Sequence, residues 1–372
     1  VVGCVVGFGG LVAWQTNKTL TPRLLWSTAA GELELRMRGG SGDAVVAAPQ
    51  LRHGSGVSVP GTATLLPSMV QVGTLSPQYN ASRVHKYTAS DSPPPRRPST
   101  ASDNVIIAIA AGIVSIRSKP QLADQPLMTV FVPSLTATMA AVDTSRRHTF
   151  RLYLTYDVGD RVYGGKGGVA NRAAAARAAA EAAAPAVVLT THWVECIECG
   201  GKPAWAHDRA ACAAFVEGAD YVFRVNDDTV LPTVPGWDAT LVDDLTSRRP
   251  VPNLGVVGPD FDFDTETPIL SHDFTHWTHV AVHGFYYPPT LPNWSADDWI
   301  TYVYDRYDAT HKLPDVRISH VTAEIRYVPS VATERQIAMN AAIDAGTAAI
   351  NAFTASVYGI VLPHTLRTYN TP

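Results

Sequence analysis

Charge is scarce in this chain. Asp, Glu, Lys and Arg make up 17% of its 372 residues, and the formal net charge is -4. The electrostatic footprint of a nucleic-acid binder, a basic stripe or cluster, is therefore missing. The acidity is mild and local, which points to clustered carboxylates rather than an acidic tail. Cysteine is sparse as well. Cys4, Cys196, Cys199 and Cys212 are too few to staple a chain of this length into a disulfide scaffold. The apolar N-terminus, "VVGCVVGFGGLVAW", is fourteen residues long, short of the about twenty that a membrane-spanning helix needs. Val1–Trp14 reads either as the remnant of a membrane anchor or as a buried strand pair. Three sequons, at Asn17, Asn80 and Asn293, are weak pointers to secretion, and no internal repeat is found.

What is present is apolar. Hydrophobic residues form 46% of the chain, enough for a sizeable core in one large domain or two. Composition shifts near residue 88. "TASDSPPPRRPSTASDN" (Thr88–Asn104) is rich in Pro, Ser and Thr and has almost nothing to bury, as in a linker or stalk. Residues 15–103 thus read as a stem or a small β-rich segment, 104–330 as the main domain, and 331–372 as a C-terminal helix and tail.

Strand and helix patterns alternate from residue 104 onward. "NVIIAIAAGIVSI" is a continuous apolar run of the kind buried on both faces of a parallel sheet. Further strands are expected at Thr149–Asp160, Ala186–Val194, Tyr221–Asp228, Asn253–Asp264 and His279–Tyr287. Helices are expected in the second half of Leu127–Val142, over the Ala-rich Gly167–Ala184, and over Asp208–Gly218 with Asp208 as its N-cap. "TERQ" at Thr333–Gln336 resembles a capping box. After it, Met339, Ile343, Gly346, Ile350, Phe353 and Val357 lay an apolar stripe along one more helix. The alternation predicts an α/β sandwich with a mainly parallel central sheet. Ligands of such sheets bind beyond the carboxyl ends of the strands, where Asp157, Asp227 and Asp228 would converge.

The acidic pairs carry the chemistry. "YVFRVNDDTVL" sends a buried strand into Asn226-Asp227-Asp228. Adjacent carboxylates are common in a solvated turn, but at a strand end facing a crevice they also suit Mg²⁺ or Mn²⁺. A second pair, Asp297-Asp298, lies between Trp294 and Trp299 in "NWSADDWI". Asp is favoured at a helix start with Ser295 as cap. A carboxylate fixed there and walled by aromatics can also serve as a general base. His320 is either an ordinary core histidine or a further metal ligand. Cys196-x-x-Cys199, with His192, His207 and Cys212 nearby, leaves zinc, a Cys199–Cys212 or Cys196–Cys212 disulfide and free thiols open. His272, His276, His279 and His283 read mostly as loop and core residues, with one lining a pocket.

"GADYVFRVNDDT", then "NWSADDWI", then a downstream His resembles the GT-A class of nucleotide-sugar glycosyltransferases. The likeness is to inverting, metal-dependent members such as N-acetylglucosaminyltransferase I, and it spans 104–327. It implies a Rossmann-like sheet, Asp228 and His320 on Mn²⁺ or Mg²⁺, and Asn226 and Asp227 on the nucleotide sugar. Ser115, Arg117 and Asp157 would also lie on the donor side. Asp298 would be the catalytic base, with Asp297 and Trp299 towards the acceptor. The implied reaction moves a sugar from a UDP-sugar to a glycan or protein hydroxyl, in the Golgi lumen if an anchor precedes the stem. Nucleic acid has no part in it. A nucleotidyltransferase shares such a sheet but should carry a Gly-rich basic loop after the first strand, and "AAGIVSIRSKP" has one glycine. A non-catalytic, stalked carbohydrate-binding protein is the third reading.

Overall fold

The computed structural model describes residues 104–365, apart from 185, 249, 262–267 and 322–331, together with four short strands before them. The chain divides into two units, Val1–Thr64 and Leu65–Pro372. In the first, β1 (Gly3–Gly7) pairs antiparallel with β2 (Gly10–Trp14), and β3 (Leu35–Met37) with β4 (Ala44–Val46). The rest of 15–103, including the Pro/Ser/Thr run up to 103, lies outside the described residues. Among the described residues no helix is long and apolar enough to cross a membrane.

The second unit is the expected α/β sandwich. Its strands are β5 (Ile106–Ile113), β6 (Thr149–Asp157), β7 (Leu189–Cys196), β8 (Tyr221–Arg224), β9 (Thr229–Val230), β10 (Val256–Phe261), β11 (Asp273–His276) and β12 (Thr310–His320). They form one eight-stranded sheet in the order β7-β6-β5-β8-β11-β10-β12-β9. β7, β6, β5 and β8 run parallel, as do β10 and β12, while β11 and β9 pair antiparallel with their neighbours. The helices are α1 (Val132–Ala140, entered through a wide π turn at Leu127–Phe131), α2 (Gly165–Ala183), α3 (Pro203–Val216), α4 (Trp237–Ser247), α5 (Thr278–His283), α6 (Ala296–Asp305) and α7 (Ala332–Tyr358).

Two cores flank the sheet, and the alternation of β5 shows how. Ile107, Ile109, Ala111 and Ile113 face Phe131 and Leu135 of the α1 side. Ala108 and Ala110 face the other core, with Ala210, Ala211, Ala213 and Ala214 of α3. Gly112 follows on that second face. A Cβ there would lie 2.6 Å from the Ala206 Cβ and 3.2 Å from the His207 backbone nitrogen. Small residues on both partners thus let α3 lie close upon β5, at the carboxyl end of the strand. The Gly112 N–H also meets His207 Nδ1 at 3.1 Å.

Four elements differ from the sequence reading. The helix expected from Asp208 begins at Pro203, because Asp208 is buried and accepts N–H groups from Tyr286 and Tyr287 instead of capping. The strand expected over His279–Tyr287 is the short helix α5 and a loop, and the sheet takes Asp273–His276 as β11. Apolar alternation there reflected burial from all sides rather than a pleat. Helical structure in Leu127–Val142 starts at its first residue. On α7, Met339, Ile343 and Ile350 are fully buried, whereas Val357 at the far end is exposed.

Gly112→Ala should lower stability by about 1–3 kcal/mol through overpacking, since backbone of α3 stands in the way. Urea unfolding should show a lower midpoint at unchanged slope.

Candidate functional site

The chain builds β5, β6 and β7 in one direction across the sheet, then places β8 on the other side of β5. The parallel strands therefore open a crevice at the carboxyl ends of β5 and β8, the point where the order reverses. Ser115 and Arg117 follow β5, Asp157 ends β6, and Asn226-Asp227-Asp228 follow β8. The topology thus brings the donor-side residues named from the sequence to one edge. Ser115 is buried, and its N–H donates to Asp160 Oδ2 at 2.8 Å, which ties the β5 loop to the β6 loop. Asp157 is half-buried and accepts the Gly159 N–H at 2.9 Å, while Arg117 is exposed.

Asp227 and Asp228 are buried. The pairing of β12 with β9 sets His320 opposite Thr229, and the Val321 N–H donates to the Asp228 carbonyl at 3.0 Å. That register brings His320 Nε2 to 2.6 Å from Asp228 Oδ1. Two residues 92 positions apart are thereby neighbours by backbone construction. His272, on the turn into β11, adds a second imidazole to this corner. Its Nε2 meets Thr229 Oγ1 at 2.7 Å, and its ring lies 6.4 Å from that of His320. Burial, then the Arg224 charge, hold His272 well below the usual histidine range, so it stays neutral.

Behind the crevice lies a buried polar network that the sequence reading did not single out. Arg224, the last residue of β8, donates to Asp273 Oδ2 through Nε at 2.9 Å and Nη2 at 2.6 Å. Asp273 also accepts the hydroxyls of Tyr287, at 2.6 Å, and Tyr286. Asp297 lies within electrostatic reach of Arg224, so the network extends to the second acidic pair. A strand residue with alternate positions apolar gives one clue: Arg224 falls on the inward face after Val222.

Asp297 and Asp298 occupy the first turn of α6, as expected, after Ser295 in a left-handed conformation (φ 70°). Asp298 is 8% exposed, and its Oδ1 meets no hydrogen-bond partner among the described residues. Burial first, and then the Asp297 carboxylate, push the Asp298 carboxyl up to about 7. Burial likewise raises Asp297, with Arg224 opposing. Trp299, expected on the acceptor side, is fully buried against His279, His283 and Phe285 and cannot meet an acceptor. The i+1 position after Asp298 points into the α5–α7 side of the core, whereas Trp294 is exposed.

The cysteines pair otherwise than either disulfide considered. Cys196, ending β7, bonds to Cys199, and Cys212 is a buried thiol beside Asp208, with its Sγ 3.6 Å from Oδ1. Cys212 sits on the face of α3 turned into the core, away from the β7 loop. A zinc knuckle is thereby replaced by a local loop closure.

A divalent cation can be tested against the donor set. A carboxylate oxygen and an imidazole nitrogen lie side by side at Asp228 and His320, a combination that suits Mn²⁺ better than Mg²⁺. Among the described residues no group of three or more His, Cys, Asp or Glu side chains is arranged to hold a metal. The remaining positions would fall to substrate oxygens and water, as in cations that bridge phosphates. The two donors fit that role.

No family model matches this sequence, and a search of curated proteins finds no significant match. Among solved structures, the chain is similar to S. aureus TarS 1-349 in complex with UDP, at 10% identity and a TM-score of 0.40. That match covers 64% of each chain, so it spans less than two thirds of the TarS chain. It is also similar to a cytidylyltransferase from Leptospira borgpetersenii, at 9% identity and a TM-score of 0.33, over 72% of this chain and 99% of the other. Likenesses this low say nothing of activity, which has to be argued from the site's own residues.

Asp273→Ala would strand the buried Arg224 charge and leave two tyrosine hydroxyls without acceptors. A loss of about 3–5 kcal/mol is expected, a large part of the about 5–15 kcal/mol that holds a domain together. Thermal unfolding of the variant beside the wild type measures it.

Proposed function

We propose that this chain is a metal-dependent glycosyltransferase that moves a sugar from a nucleotide-sugar donor, a UDP-sugar, to a glycan or protein hydroxyl with inversion. One observation supports the reading most directly. A buried acidic pair at the β8 end stands beside His320, and at the α6 start a buried Asp298 adjoins Asp297, which lies in the electrostatic field of Arg224. The arrangement is in keeping with the GT-A resemblance of the sequence.

In this reading Ser115, Arg117 and Asp157 flank the nucleoside and diphosphate, while Asn226 and Asp227 meet the donor's ribose or sugar. Asp228 and His320 would hold Mn²⁺ or Mg²⁺, which supplies charge neutralisation for a leaving diphosphate. Asp298 accepts the proton of the acceptor hydroxyl as that oxygen attacks the anomeric carbon. The carbon–oxygen bond to the diphosphate breaks, and its electron pair leaves with the nucleotide. A base on the face opposite the leaving group gives inversion. Asp297 keeps Asp298 basic enough to act near neutrality, and exclusion of water by burial strengthens both interactions. The Cys196–Cys199 disulfide supports an oxidising setting such as the Golgi lumen.

Calorimetric titration of UDP should show binding with Mn²⁺ that is lost in EDTA and in Asp228→Ala. Equal binding with and without metal would remove the cation from the reading, and failure to bind UDP or a donor under either condition would overturn the transferase assignment.

The pH behaviour of Asp298 separates catalysis from stability. The base must be ionised, so kcat/KM should rise with pH through about 7 and level off above it. The folded-state pKa stands above the unfolded value of about 4. The folded chain therefore binds the extra proton between those limits, and the stability this confers at low pH is lost as pH rises. Asp298→Asn should accordingly lose transfer by about 10²–10⁴-fold while becoming more stable at pH 8, by about 1–2 kcal/mol. A variant with normal turnover would remove Asp298 from the base role.

A further inference from the structure

Among the described tryptophans Trp294 alone is exposed, at 48%. It stands just before Ser295, whose left-handed turn starts α6. Its backbone is held by its own neighbour, the Trp294 N–H donating to Asn293 Oδ1 at 2.7 Å. The Arg335 guanidinium, from the first turn of α7, lies 5.5 Å from the centre of the indole. Arg335 itself is 9% exposed, and its charge acts on the Asp298 carboxyl. Two helix starts thus frame one spot. There a buried carboxylate oxygen without a partner, Asp298 Oδ1, belongs to a residue four positions after an exposed indole backed by a buried cation.

An exposed indole is costly to keep, since its large apolar face belongs in a core. Arg335 fixes it by cation–π contact and leaves part of the ring open. A pyranose ring presents a patch of C–H groups on one face and hydroxyls around its rim. The first suits an indole, and one of the second would reach the orphan oxygen. Asp297 and Asp298 face Arg335 and an Arg224 already paired with Asp273, a surplus of acid that disfavours an anionic group and suits a neutral sugar.

We propose that Trp294, backed by Arg335 at the start of the helix that carries Asp298, forms the acceptor subsite and stacks on the apolar face of a neutral pyranose. This rests on the transferase reading for its place in a reaction, but the binding itself can be measured apart from it. Arg335 is a positioning residue, holding the indole and setting the charge around Asp298.

The test uses saturation-transfer NMR with methyl glycosides of glucose, galactose, mannose and N-acetylglucosamine, beside calorimetric UDP titrations of the same samples. At least one glycoside should receive saturation, strongest at its ring C–H protons. Trp294→Ala should weaken that binding tenfold or more with UDP affinity unchanged, and Trp294→Tyr should restore most of it. Arg335→Gln should weaken it less and should also shift the pH at which Asp298 titrates, which a merely structural residue would not do. No glycoside contact with the wild type, or contact unchanged in Trp294→Ala, would overturn the subsite whether or not UDP binds. Glycoside binding lost in Trp294→Ala by a protein that ignores UDP would uphold the subsite and remove the transferase reading.

Discussion

A single buried guanidinium ties the sheet to the chemistry. Arg224 closes β8, two residues before Asn226, and is almost wholly shielded from water. A charge in that position is tolerable only with a partner and further hydrogen bonds around it. Asp273 supplies the first, on the adjacent antiparallel strand, and Tyr286 and Tyr287 satisfy the carboxylate from above. Asp208 then holds the backbone of both tyrosines. The network spans β11, a strand of four residues, and the segment after α5 that carries Tyr286 and Tyr287. Its task is to fix a cluster of polar groups, and the apolar stripe of the sheet is interrupted to make room.

Fixing that cluster determines where the acidic pairs stand. β8 cannot slide without breaking Arg224 from Asp273, so the Asn226–Thr229 turn has a set position. The pairing of β12 with β9 at one edge of the sheet then delivers His320 to Asp228. On the other side of β8, the small-residue face of β5 lets α3 approach closely enough for His207 to meet the Gly112 backbone. Crowding by small residues and pairing of buried charge are therefore two halves of one arrangement. The first closes the floor of the crevice, and the second fixes its wall.

Much of this was legible from residue order. A continuous apolar run marked β5, further apolar segments alternating with helical ones marked β6, β8 and β10, and the Ala-rich pattern marked α2. The convergence of Asp157, Asp227 and Asp228 at one edge follows from parallel strands alone. The pairing of His320 with Asp228 depends on a strand register across 92 residues, and only the resemblance suggested it. "HVAVHGFYY" misled because its alternation is that of a segment buried on every side, where helix and strand patterns coincide. Trp299 misled for a related reason. Flanking an acidic pair does not fix which way an aromatic points, and one helical position separates a core residue from a surface one. Cys212 could not be assigned because sequence spacing carries no information on which face of α3 it occupies.

The acidic pair at α6 shows why site and stability pull against each other here. A helix start favours carboxylates, yet burial works against their ionisation, and two side by side oppose each other further. The dyad cannot shed both protons as easily as separate residues would. Arg224 opposes that penalty at Asp297, and at Asp298 the Ser295 hydrogen bond, then the Arg335 charge, oppose it. Without those groups the Asp298 carboxyl would stand higher still and hold its proton more firmly. Were Asp298 solvated like an ordinary carboxylate, it would be ionised throughout but too weak a base to draw a proton from a hydroxyl. Burial partly offset by the Ser295 hydrogen bond and the Arg335 charge leaves it between these limits, which is the condition that general-base chemistry near neutral pH requires.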